Sequence, residues 1–202
     1  LTLAQFQNQA TPVQVRFGDG MELMGYSIAD DRLRPGDTVD ATLYWRCLAE
    51  IPRNYTVAVQ ALDPEQRFYG GIVNYPGRGS YPTSLWQPGQ IIEDRHRFVL
   101  GEDIPVPAFV QVKVDIYDLD TGEFLPVSPG MTPDQTAVVF ARIPVVTRSS
   151  LRSGRLSSRM ATFGDTIHLI GLALPATVRA GETTQFVFTW RPGAQLAEDY
   201  TV

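Results

Sequence analysis

A pattern that occurs twice limits this chain more than any other feature. Phe17-Gly18-Asp19, Leu23, Gly25, Arg34, Gly36, Thr38, Trp45-Arg46 and Tyr55-Thr56-Val57 are followed, in the same order, by Phe163-Gly164-Asp165, Leu169, Gly171, Arg179, Gly181, Thr183, Trp190-Arg191 and Tyr200-Thr201-Val202. Gly36 stands as far from Trp45 as Gly181 from Trp190, and Trp45 as far from Tyr55 as Trp190 from Tyr200. The second copy lacks one residue between Gly171 and Gly181, compared with Gly25 and Gly36, where a turn is expected. Self-similarity of this kind reports a repeated structural unit. It predicts a complete domain over residues 11–146, a Ser/Arg-rich linker over residues 147–161, and the opening third of a homologous domain over residues 162–202. One third of such a domain cannot close a core by itself.

The repeated unit reads as all-β. Val39, Ala41, Leu43 and Trp45 alternate with Asp40, Thr42 and Tyr44, and Val110, Val112, Val114 and Ile116 alternate with Gln111, Lys113 and Asp115. Such period-two alternation is the mark of a half-buried strand. Residues 55–61 follow the same rule, and weaker runs lie at 13–17, 21–28, 67–73, 91–100, 123–127 and 137–146. Arg34-Pro35-Gly36-Asp37, Asp63-Pro64-Glu65, Gln87-Pro88-Gly89 and Asp120-Thr121-Gly122 supply turns between them. With no sustained helical period, the expected fold is an antiparallel immunoglobulin/fibronectin-III-like two-sheet β-sandwich, followed by a truncated second copy. Trp45 and Trp190 take the buried inter-sheet position, with Tyr55 and Tyr200 as further structural core residues.

Charge and composition exclude several functions. A formal net charge of -5 does not suit a phosphate-binding surface, so nucleic acid is not expected as a partner. Arg148, Arg152, Arg155 and Arg159 stand among serines and read as a solvated linker. The single cysteine, Cys47, permits no intrachain disulfide and reads as a small buried hydrophobe. The chain starts at Leu1 and stops inside a strand-like pattern, so both ends are expected to be cut points within a longer protein.

Candidate chemistry is thin. His96 and His168 are the only histidines; neither has a second His or Cys at metal-ligand spacing, and no Gly-x-Ser-x-Gly elbow is present. No enzyme activity and no cofactor are expected. Asp115, Asp118, Asp120 and Glu123 crowd one stretch around Gly122 and form a candidate calcium site, although Asp-Thr-Gly between two strands is also what a hairpin turn uses. Residues 74–89 carry Tyr75, Tyr81 and Trp86 with Asn74, Arg78 and Gln87, a candidate glycan-binding loop. The alternative is that Trp86 and Tyr81 fold inward and cap the sandwich.

Gly25-Tyr26, Arg34-Pro35-Gly36-Asp37, Leu43-Tyr44-Trp45, the Tyr-Pro-Thr-Ser-x-Trp-x-Pro-Gly run from Tyr81 to Gly89 and Asp118-x-Asp-x-Gly together resemble a β-sandwich repeat of bacterial surface proteins. They are similar to the soluble region that follows the membrane-spanning part of glycosyltransferase-like proteins related to protein O-mannosyltransferases. The resemblance covers residues 17–127, and its first third recurs from Phe163. It implies an extracytoplasmic module, at the cell surface or facing the periplasm, tethered through membrane segments outside this chain. Its implied work is that of a non-catalytic spacer or protein-interaction domain, with neighbouring domains of the parent protein as partners. The alternative is a carbohydrate-binding module using the aromatic loop. The second copy would expose Leu169, Phe186, Phe188 and Trp190, which predicts self-association or docking of these strands.

Overall fold

The computed structural model describes residues 3–106, 108–130, 132, 134–146, 161–163, 167–173 and 187–193. The chain divides into two compact units, Leu1–Val145 and Val146–Val202.

In the first unit the alternating runs become strands as the sequence predicts: β1 (Thr11–Phe17), β2 (Met21–Ile28), β3 (Thr38–Cys47), β4 (Tyr55–Leu62), β5 (Phe68–Asn74), β6 (Ile91–Val99), β7 (Ala108–Asp118), β8 (Val127–Ser128) and β9 (Ala137–Val145). One sheet runs β6-β3-β2-β1-β8 and the other β5-β4-β7-β9. All named strand pairs are antiparallel. The chain crosses between sheets after β3, β5, β6, β7 and β8, so this is a two-sheet β-sandwich. The inward residues Val39, Ala41, Leu43 and Trp45 of β3 meet Val57, Val59 and Ala61 of β4 and the four apolar residues of β7 in one core. Packing rather than hydrogen bonding holds Trp45, whose indole N–H meets no acceptor among the described residues.

Two details depart from the sequence reading. The run at 123–127 forms only a Tyr117–Phe124 bridge and the short β8, because a hairpin turn draws it close to β7. A helix, α1 (Leu3–Gln9), precedes β1. Its Phe6 packs edge-on against Tyr44 at 5.5 Å and joins Met24 in a small cluster on the outer face of the first sheet. The helix is too short to show a period, which is why no helix is expected there and why the expected boundary at residue 11 leaves it out. The repeat glycine Gly25 sits where a Cβ would collide with the Thr11 carbonyl oxygen.

The second unit contains a three-stranded sheet, β10-β11-β12, formed by Ala161–Phe163, Ile167–Ala173 and Val187–Pro192. Ala161, assigned to the linker by sequence, opens β10. Leu169 pairs with Trp190 and Gly171 with Thr189, with a register shift between Leu169 and Gly171. In the first unit Leu23 pairs with Trp45 and Gly25 with Tyr44, with the shift between Leu23 and Gly25. Arg148, Arg152, Arg155, Arg159, Phe186 and Tyr200 lie outside the described residues. Among the described residues no helix is long and apolar enough to cross a membrane.

Candidate functional site

The aromatic loop is built into the sandwich. Trp86 is only 3 % exposed and belongs to the central core, and its indole N–H donates to the Tyr81 carbonyl at 3.2 Å. Half-buried Tyr81 packs on the same core, and its hydroxyl reaches Gln90 and the Leu85 carbonyl. Thr83, fully buried in the 3-10 turn Thr83–Leu85, donates its hydroxyl to the Arg53 carbonyl at 2.7 Å and accepts the Tyr55 amide at 2.9 Å. Gly89 has φ +84°, and its amide caps the Cys47 carbonyl at 2.8 Å. The Tyr-Pro-Thr-Ser-x-Trp-x-Pro-Gly run therefore plugs one end of the sandwich.

The other loop candidates are scattered. The Asn74 side chain accepts the Tyr75 amide, Arg78 and Gln87 are exposed, and Tyr75 is half-buried. These groups do not gather around an exposed Trp86 face. Behind the loop lies a pair that sequence reasoning missed. On β6, Glu93, Arg95 and Arg97 point outward, and Arg97 makes a two-pronged bond to Asp40. Asp94 and His96 point inward and are buried, with Nε2 of His96 2.8 Å from Oδ2 of Asp94. The other Asp94 oxygen accepts the Gly77 amide at 2.8 Å, so the pair ties the loop to β6. Alternation placed these two residues on one face, but nothing local announced a polar pair inside a core.

The calcium candidates do not converge either. Asp115 is on the outer face of β7 beside Lys113, at 3.4 Å. Burial pushes its carboxyl above the usual carboxylate range, with Lys113 offsetting part of that effect. Asp118 Oδ1 accepts the amides of Asp120 and Thr121, and Oδ2 accepts a bond from Arg53 at 3.1 Å. Desolvation alone would raise this carboxyl, but the Arg53 and turn-amide bonds hold it below its ordinary value. Asp120 and Glu123 are exposed. Among the described residues no group of three or more His, Cys, Asp or Glu side chains has the arrangement of a metal site.

Asp118 and Glu123 do share a different feature, a surface cavity of about 500 Å³. Arg53 and Tyr55, from the β3–β4 connection and the start of β4, form one side with Asp118. Glu123, Phe124, Leu125, Pro126 and Thr136, from the β7–β9 connection, form the other. The Phe124 ring is 49 % exposed and tilts against Tyr117 at 5.2 Å. Elsewhere, buried Cys47 donates its S–H to the Ala49 carbonyl at 3.1 Å, and burial raises its thiol pKa. Tyr55 packs on the core, Trp190 is half-buried, and His168 contacts Thr162.

No family model and no curated protein matches the chain. Solved structures similar to it include a FixG-related protein from Vibrio parahaemolyticus, at 15% identity and a TM-score of 0.32, spanning 63% of this chain and 97% of that one. Another is Spo0M, a sporulation control protein from Bacillus subtilis, at 14% identity and a TM-score of 0.34, spanning 90% of this chain and 69% of that one.

Proposed function

We propose that this chain is a non-catalytic accessory module of a larger membrane-associated protein, on its extracytoplasmic side, that spaces or contacts neighbouring domains. The observation that carries this reading is the fate of the signature loop. Trp86 and Tyr81, aromatic candidates for a glycan site, are engaged inside the fold together with buried Thr83 between them. The location rests on the resemblance to bacterial surface repeats. Self-association through the second unit is favoured by the exposure of Phe163 (54 %) and Phe188 (47 %).

Trp86→Ala distinguishes this reading from a glycan site on the aromatic loop. A structural Trp86 is expected to cost about 3–5 kcal/mol of stability in denaturant unfolding, with no effect on glycan-array binding beyond that due to unfolding. A variant that keeps its unfolding midpoint but loses a glycan signal defeats the spacer reading.

A further inference from the structure

The β1–β2, β3–β4, β5–β6 and β7–β8 connections open at one end of the first unit, as the strand registers require. In immunoglobulin-type variable domains, recognition loops also gather at one end of the sandwich. The cavity beside Arg53, Asp118 and Phe124 lies at this loop end of the first unit.

We propose that this cavity binds one pyranose ring of a neutral glycan, with Phe124 against the ring's apolar face and the Arg53–Asp118 pair bridging adjacent hydroxyls. The site goes beyond the spacer reading and is separate from the aromatic loop expected from sequence. A sugar ring presents an apolar C–H face and an edge of hydroxyls that both donate and accept. Here an exposed aromatic ring with Leu125 and Pro126 supplies the apolar surface. Arg53, Tyr55 and Thr136 supply donors, and Asp118 and Glu123 supply acceptors. One cation against two carboxylates leaves no positive excess to attract an anion, which disfavours phosphate or a peptide C-terminus. The volume of about 500 Å³ falls among small-molecule sites, roughly 300–1,000 Å³.

The site is also pre-organised. Buried Thr83 fixes the backbone on both sides of Asn54, and Asn54 itself accepts the Ser84 amide. The turn amides and Arg53 fix the Asp118 carboxylate. The Tyr117–Phe124 bridge and the Leu125 amide bonded to the Ile116 carbonyl hold the aromatic ring in place. Groups ordered before binding lose little entropy on binding. The plug made by the signature loop thus forms part of the foundation for a site next to it.

The test is an NMR titration of the full, isotope-labelled chain with mannose, glucose, galactose and their trisaccharides up to millimolar concentration, with inorganic phosphate as a separate probe. Amide shifts at 53, 55, 118–125 and 136 with at least one sugar are expected. Phe124→Ala and Arg53→Gln should weaken that binding about tenfold or more, equivalent to about 1.4 kcal/mol. Leu85→Ala, an exposed residue of the aromatic loop, should bind as the unaltered chain does. If Phe124→Ala loses its folded spectrum, Glu123→Gln takes its place and is expected to weaken binding. The proposal is overturned by absence of sugar-induced shifts, by shifts confined to residues 74–89, by phosphate producing the same shifts, or by undiminished affinity in folded variants.

Discussion

Phe17 and Phe163 hold the same place in the repeat and meet the same partner, yet they have opposite environments. Phe17 lies edge-on to Trp45 at 5.7 Å and Phe163 to Trp190 at 5.4 Å, at interplanar angles of 72° and 63°. The strands beneath them share a register and a bulge. Phe17, Leu43 and Trp45 are fully buried, because β4 and β7 cover them. Their counterparts Phe163 and Phe188 are about half exposed. The difference teaches that the repeated residues specify a sheet and its aromatic face, whereas burial of that face is the work of a second sheet. In the first unit that work is done by β4 and β7, through Val57, Val59, Ala61, Val110, Val112, Val114 and Ile116.

The largest effect should separate the two phenylalanines. Phe17→Ala is expected to cost about 3–5 kcal/mol of first-unit stability, measured by denaturant unfolding. Phe163→Ala should cost less than about 1 kcal/mol if its face remains open in solution. A comparable cost at both positions would break the contrast, by showing that a second copy covers Phe163. Sedimentation equilibrium would then find a dimer that Phe163→Ala disperses.

A smaller effect concerns Asp115, on the outer face of the first unit's second sheet. Its raised pKa means that the folded state favours the protonated acid. That preference stabilises the fold below the ordinary carboxylate pKa and turns into a cost as pH rises through the folded value. Asp115→Asn should therefore raise the melting midpoint modestly at pH 7, and the gain should vanish below about pH 4, near the reference Asp value. Asp118 has the opposite sign. Its depressed pKa stabilises above the ordinary value, and that contribution disappears as pH falls through the folded one. Asp118→Asn should lower the midpoint at pH 7 and converge with the unaltered chain in acid. Identical pH profiles for both substitutions would contradict the environments described for them.

The smallest effect sharpens the comparison on the outer face. Glu22 faces Arg46 across β2 and β3 in an ion pair of 3.3 Å, while His168 faces Arg191 at the matching place. Glu22→His should cost about 0.2–1 kcal/mol, the range for exposed pairs, and less at high salt. Salt-independent destabilisation in chemical unfolding would mean that Glu22 acts through packing instead.

Much of the fold was legible because alternation is local. The faces of β3 and β7 follow from residue order alone, and a Gly or Pro at a turn acts through its own backbone. The short α1 and the near-vanishing β8 were less legible, since Phe6 needs Tyr44 and Met24 to hold it, and 123–127 yields to the hairpin at Gly122. The candidate site was legible only in fragments. Asp118 and Glu123 stood out as oxygen ligands for an ion, but one is engaged by turn amides and Arg53. Arg53, Phe124 and Thr136 gave no signal, because their meaning comes from a neighbour many residues away.

The sequence by itself determined the strands and their inward faces, and the burial of Trp45, because each follows from side-chain periodicity and backbone preference over a few residues. Only the tertiary structure decided that Trp86 turns inward, that Asp94 and His96 pair beneath the loop, and that Arg53 meets Asp118 and Glu123 around a cavity. Those outcomes depend on which distant segments the two sheets bring to the same end. Close packing and the need to satisfy buried polar groups choose among them only once the sheets have met.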